Sequence, residues 1–171
     1  MPNRRPLATE YDDYYAGYIG RVPEGSIIET LTIQREAHHA FLREVPESVA
    51  DHAYLPGKWT VRELLGHVID AERVFGFRAL HFARGADGEI PGMDQDQFAA
   101  AAPYGRRSLS SIVDEFYLLR GANLAQFRAF DEAIMSRRGI ASGVRFTVRA
   151  LLYIMAGHES HHIHVLRERY L

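Results

Sequence analysis

Four of the nine histidines crowd one stretch late in the chain, at His158, His161, His162 and His164. Imidazole binds divalent cations in its neutral form and changes charge near neutral pH. His158 and His162 are four apart, so on a helix their rings come to one side, one turn from each other. Counting about 100° per residue from Thr147 places them in one stripe with Leu151, Ile154 and Val165. The same count from Thr60 places His67 in a stripe with Leu64, Val68, Ala71 and Phe75. Three imidazoles therefore face the core from two helices. A buried imidazole without a partner costs about 1–3 kcal/mol. One divalent cation shared by the three removes that cost. Three protein ligands also leave coordination positions open, the pattern of a catalytic rather than a structural metal. Spacing alone leaves His161 open as a rival to His162, because it lies one turn from both His158 and His164.

A lone histidine is ordinarily a half-buried side chain bonded to a carbonyl or an acid, and His38, His39, His52 and His81 are read as surface or loop residues. His158-Glu159-Ser160-His161-His162 formally matches the zinc-protease pattern H-E-x-x-H, with Glu159 as general base. Against a protease, the sequence given runs only nine residues past His162, and no strand-rich substrate-binding region precedes the motif. Glu159 also points about 100° away from His158.

Four helices are needed to position these groups. The first spans residues 26–44, with Ser26 as N-cap and a stripe of Ile27, Leu31, Ile33, Ala37, Phe41 and Leu42. Two prolines and a glycine break the period before Thr60. The second covers residues 60–84 and opens on the capping box Thr60-Val61-Arg62-Glu63. Residues 85–107 are rich in Gly, Asp, Pro and Gln, with a short helical piece at 95–101. A connection this long predicts a crossover or a lid rather than simple up-down-up-down order. The third helix starts at Ser108 or Ser111 and ends near residue 130. The segment MSRRGIASGVRF is a turn that could pair briefly as strands. The fourth helix begins at Thr147. Together they predict an all-α four-helix bundle over residues 25–171, with residues 1–24 as an N-terminal extension. Tyr11, Tyr14, Tyr15 and Tyr18 in that extension allow an arm packed on the body or an extended lead-in, and the lead-in is the expectation.

Composition narrows the function. The formal net charge is −2, with no basic run of the kind that marks a nucleic-acid binder. There is no cysteine, so thiol chemistry would require a bound cosubstrate. No apolar segment reads as a signal peptide or a membrane span, so cytoplasmic residence is the expectation.

The stretch Gly57-Lys58-Trp59-Thr60-Val61-Arg62-Glu63-Leu64-Leu65-Gly66-His67-Val68-Ile69-Asp70-Ala71-Glu72 resembles the DinB-like (damage-inducible) family. That family carries a Trp before a capped helix, then a Gly-His pair, then an acid. Gly157-His158-Glu159-Ser160-His161-His162-Ile163 is similar to its second motif, two histidines four apart. The resemblance implies an up-down-down-up bundle, a homodimer, and a divalent metal on His67, His158 and His162, which selects His162 over His161. Zinc, nickel and iron all suit three imidazoles. It further implies either a transferase or isomerase using a low-molecular-weight thiol, held by the metal as thiolate, or a hydrolase of a small substrate using metal-activated water. A dimeric stress-response or binding protein with a structural or vestigial metal is the alternative, and no catalytic side chain is singled out. Asp70, Glu72 and Glu159 are candidate partners for the ligand rings, Asp70 first, unless all three are solvated surface acids. Trp59 is read as a packing residue.

Overall fold

The structure is a computed structural model that describes residues 4–171. Residues 1–3 of the expected N-terminal extension lie outside the described residues. Four long helices form the body: α1 (Ile27–Arg43), α2 (Val61–Ala83), α3 (Leu109–Phe127) and α4 (Val148–Arg169). Each opens on a hydroxyl cap. Ser26, Thr60, Ser108 and Thr147 accept a backbone N–H from the first turn. At Thr60 the box is reciprocal, since Glu63 takes the Thr60 N–H at 2.8 Å.

Side-chain contacts fix the order of the helices. Arg35 Nε donates to the Tyr117 carbonyl while Arg43 faces Asp114, so α1 and α3 are antiparallel. Glu72 meets Arg120 and Gly76 meets Asn123, so α2 and α3 are parallel. Phe75 touches His158 while the Tyr170 hydroxyl donates to the Trp59 carbonyl, so α2 and α4 are antiparallel. The bundle is therefore up-down-down-up. Two parallel helices in succession require the chain to travel back, and residues 84–108 do so with a short helix (Gln95–Ala101) and a 3-10 turn (Pro103–Arg106).

The segment before α4 is a β-hairpin, β1 (Arg138–Ala141) with β2 (Val144–Thr147), rather than a plain turn. Ser142 and Gly143 both have positive φ, 54° and 73°, the two-residue turn that matches strand twist. A bridge from Ile90 to Ala141 ties the crossover to it. The third helix stops at Phe127, a turn short of the expected end.

Residues 7–22 are not an extended lead-in. They form two 3-10 turns and a short helix (Ala16–Ile19), and Ile19 and Val22 are buried. The arm lies on α4: a methyl group on Gly157 would meet the Tyr18 carbonyl oxygen at 1.9 Å. Buried Glu10 is paired with Arg149 at 3.0 Å and with Arg4 at 2.6 Å. This packing explains why the first half of α4, Val148 to Glu159, is buried on every face.

The core has two apolar halves. One holds Leu31, Phe75, Phe127 and Leu151, and the other Leu42, Leu65, Ile112 and Leu166. Between them each helix contributes polar groups: Gln34 and His38 from α1, His67 and Glu72 from α2, Arg120 from α3, and His158, Glu159 and His162 from α4. Among the described residues no helix is long and apolar enough to cross a membrane.

Candidate metal centre

The capping box fixes where α2 begins, and His67 follows two turns later on the face toward α4. His158 and His162 answer from α4, one turn apart. The Nε2 atoms of His67 and His158, 91 residues apart in sequence, are 3.0 Å from each other, and that of His162 is 3.1 Å from His158. All three ligand atoms lie within 4.8 Å of one another. His67 and His158 are buried, and His162 is partly so. His161, the rival by spacing, instead sets its ring against Tyr18 at 5.6 Å between centroids.

A ring nitrogen carries either a proton or one lone pair. The His158 nitrogen therefore cannot serve both neighbours well by hydrogen bonding. A divalent cation can accept all three lone pairs together. Ligand nitrogens about 2.0–2.1 Å from a tetrahedral ion stand about 3.3 Å apart, close to the separations found. The donor set fits such an ion in protonation state as well. Burial pushes the His67 pKa down to about 4, against a weak opposing pull from Asp96. Burial and then the His67 and His161 rings bring His162 to about 3. His158 is driven well below its ordinary value by burial and then by the three neighbouring histidines. All three rings are neutral at neutral pH, the form that ligates.

Two clefts meet at the triad. One, of about 130 Å³, lies under the arm and is lined by Tyr14, Tyr15, Tyr18, His67, Arg78 and His158 among others. The other, of about 470 Å³, holds Lys58, Trp59, Asp96, His161 and His162. Gln95 borders both. Trp59 does pack, and the surface it packs on is His67, with ring centroids 4.7 Å apart.

The acids sort differently from expectation. Asp70 does not reach His67; it accepts from the Tyr104 hydroxyl at 2.8 Å, because Tyr104 lies across Gly66 where any side chain would displace it. Glu72 and Glu159 are not solvated. Arg120, fully buried, donates to both oxygens of Glu72 at 2.7 and 2.8 Å and stands 2.8 Å from Glu159. His38, expected at the surface, lies 2.7 Å from the other Glu159 oxygen through Nδ1. Burial alone would raise the Glu159 pKa, but Arg120 and His38 outweigh it and hold the carboxyl below its ordinary value. The sequence did carry one signal for this network. Arg120 stands one turn from both Phe116 and Leu124, on the buried stripe itself. The tyrosines of the arm carried none, since they lie in a segment without a helical period, and nothing in the short helical piece at 95–101 pointed Asp96 at the site.

The family model described as the DinB superfamily matches residues 30–166. Among solved structures, YfiT from Bacillus subtilis, described as a probable metal-dependent hydrolase with an unusual four-helix bundle topology, is similar with a TM-score of 0.67 at 17% sequence identity. The match covers 97% of this chain and 91% of that one. No curated protein matches the sequence.

Proposed function

We propose, because the chain belongs to the DinB superfamily, that it binds one divalent ion on His67, His158 and His162 and works as a metal-dependent enzyme on a small substrate. The observation that carries this reading is the convergence of three neutral Nε2 atoms at the point where two clefts meet. The ion supplies Lewis acidity there, enough to activate water or a thiol near neutral pH. The protein's own groups do the rest. Trp59 covers the outer face of His67, Tyr18 closes over His158, and the Arg120 network holds α3 against α4. Zinc, nickel or iron suits the ligand set.

Two reaction classes fit this frame. Hydrolysis of a small substrate needs one cleft and water. Transfer from a low-molecular-weight thiol needs room for two reactants, and the paired clefts favour it. Since the chain has no cysteine, the thiol comes from a cosubstrate. Cytoplasmic residence and a homodimer belong to the same proposal, and sedimentation of the purified chain tests the dimer.

The deciding experiment is elemental analysis of untagged protein, followed by thermal-shift titration with cellular thiols in loaded and stripped forms. One metal per chain and a metal-dependent thiol shift support the transferase. One metal per chain without any thiol response leaves the hydrolase and a dimeric stress-response or binding protein with a structural metal, which turnover of small ester and amide substrates separates. Absence of stoichiometric metal, even after reconstitution, sinks the proposal.

A further inference from the structure

Three arginines are buried in the described structure: Arg78, Arg120 and Arg149. Arg120 has Glu72 and Glu159 for company, and Arg149 has Glu10 and Glu132. Among the described residues Arg78 meets no carboxylate; its one titratable partner is the Tyr15 hydroxyl. Arg78 is 3% exposed, and its Nη2 donates to Ser142 Oγ at 2.8 Å and more weakly to the Pro91 carbonyl at 3.5 Å. Its Nε is buried with no hydrogen-bond partner. Leaving a buried cation without an anion is strongly unfavourable. That cost calls for a counterion.

The place where it would sit is already formed. Arg78 lines the cleft of about 130 Å³ that also presents His67 and His158. No acid lines it; the remaining walls include Tyr14, Tyr15, Tyr18, Met93 and Ser142. Arg78 follows His67, Ala71 and Phe75 along one face of α2. Eleven residues make about 16 Å of helix, and helical side chains lean toward the N-terminus, so the arginine reaches back toward the histidines. Ser142, the turn residue held at a φ of 54°, steadies the guanidinium from the hairpin.

We infer that Arg78 anchors the carboxylate of a small organic acid in this cleft, with the far end of the molecule against His67 and His158. A carboxylate matches the planar guanidinium fork in shape and cancels its single charge. A phosphate dianion would leave an excess negative charge in the cavity. The volume equals about four waters, which sets the ligand at a few heavy atoms. The anchor stands on Arg78 alone; assigning the reacting end to the histidines rests on the metal-enzyme reading above.

The test follows the Arg78 Nε–H signal by ¹⁵N NMR in the full chain, zinc-loaded and metal-free, during titration with propionate. Its assignment comes from its loss in Arg78→Lys. Propionamide is the neutral control and inorganic phosphate the rival anion. Propionate is expected to shift the signal saturably in both forms, propionamide to leave it in place, and Arg78→Lys to weaken propionate binding at least tenfold by calorimetry. If Arg78→Lys does not fold, Arg78→Gln supplies both the assignment and the binding comparison. No shift, an equal shift with propionamide, or tighter binding of phosphate overturns the inference. Zinc stoichiometry is measured on the same samples. A chain that binds propionate at Arg78 but no zinc overturns the metal enzyme and keeps the anchor; the reverse result keeps the metal and removes the anchor.

Discussion

The guanidinium of Arg120 stands 2.8 Å from the carboxylate of Glu159, so the residue that follows His158 in the chain is tied to the facing helix α3. Both side chains are buried, at 0% and 2% exposure; Arg120 answers Glu72 as well as Glu159, and His38 also meets Glu159. Removing one member leaves the others buried without compensation. Arg120→Met is expected to destabilise the fold by about 3–5 kcal/mol. Glu159→Gln, which keeps shape and hydrogen-bonding capacity, should cost less. Urea midpoints at fixed metal concentration measure both. An Arg120→Met midpoint equal to wild type would show that the pair contributes nothing.

His161 and His162 are adjacent in sequence but differ in what they face. His162→Ala should abolish stoichiometric metal, because two imidazoles hold a divalent ion poorly. His161→Ala should keep it, since that ring sits against Tyr18. Metal per chain, determined on untagged variants, separates them. An empty His161→Ala beside a loaded His162→Ala would assign the ligand to the wrong residue.

Acid should weaken the metal-free fold through the triad. The folded pKa of His67 is about 4, below the ordinary 6.5, so the unfolded chain binds the proton first. Stability is therefore full above pH 6.5 and falls as pH drops, levelling off for His67 near 4 and for His162 near 3. His67 alone accounts for roughly 3 kcal/mol over that window. Denaturation midpoints in chelator at pH 7, 5.5 and 4.5 give the slope, and His67→Gln should flatten it. Identical slopes for the two proteins would contradict the assignment.

Gly157→Ala places a methyl group 1.9 Å from the Tyr18 carbonyl oxygen, and backbone cannot yield as a flexible side chain would. The arm has to lift. We expect a loss of about 1–3 kcal/mol and faster tryptic cleavage after Arg21. A cleavage rate unchanged from wild type would mean that the arm is held elsewhere.

Much of this arrangement was legible before the structure. Hydroxyl caps at Ser26, Thr60 and Thr147 mark helix starts through local chemistry, and the Thr60–Glu63 box set the register that turns His67 inward. The length of the 85–107 connection pointed to a crossover. What was hidden depends on contacts between distant segments. From the sequence Glu72 and Glu159 stand as partners of the ligand rings or as surface acids, which charged residues ordinarily are; only Arg120, brought in from a third helix, makes their burial tolerable. Asp70 is a candidate partner of His67 by proximity along α2, or else a surface acid, whereas Tyr104 approaches from the crossover and takes it. The arm was read as extended because its tyrosines have no period of their own; its shape is set by the surface of α4.

The arm also sets an order of events. It is the earliest described part of the chain to leave the ribosome, yet Glu10 meets Arg149 across 139 residues. Its seat on α4 does not exist until that last helix has been synthesised. Contacts of such separation are the slowest to close, because the intervening loop must first lose its freedom. Until then the nascent chain carries Ile19, Val22 and the partly buried Tyr11, Tyr15 and Tyr18 uncovered. The arm is docked last, as the latch on a bundle already assembled.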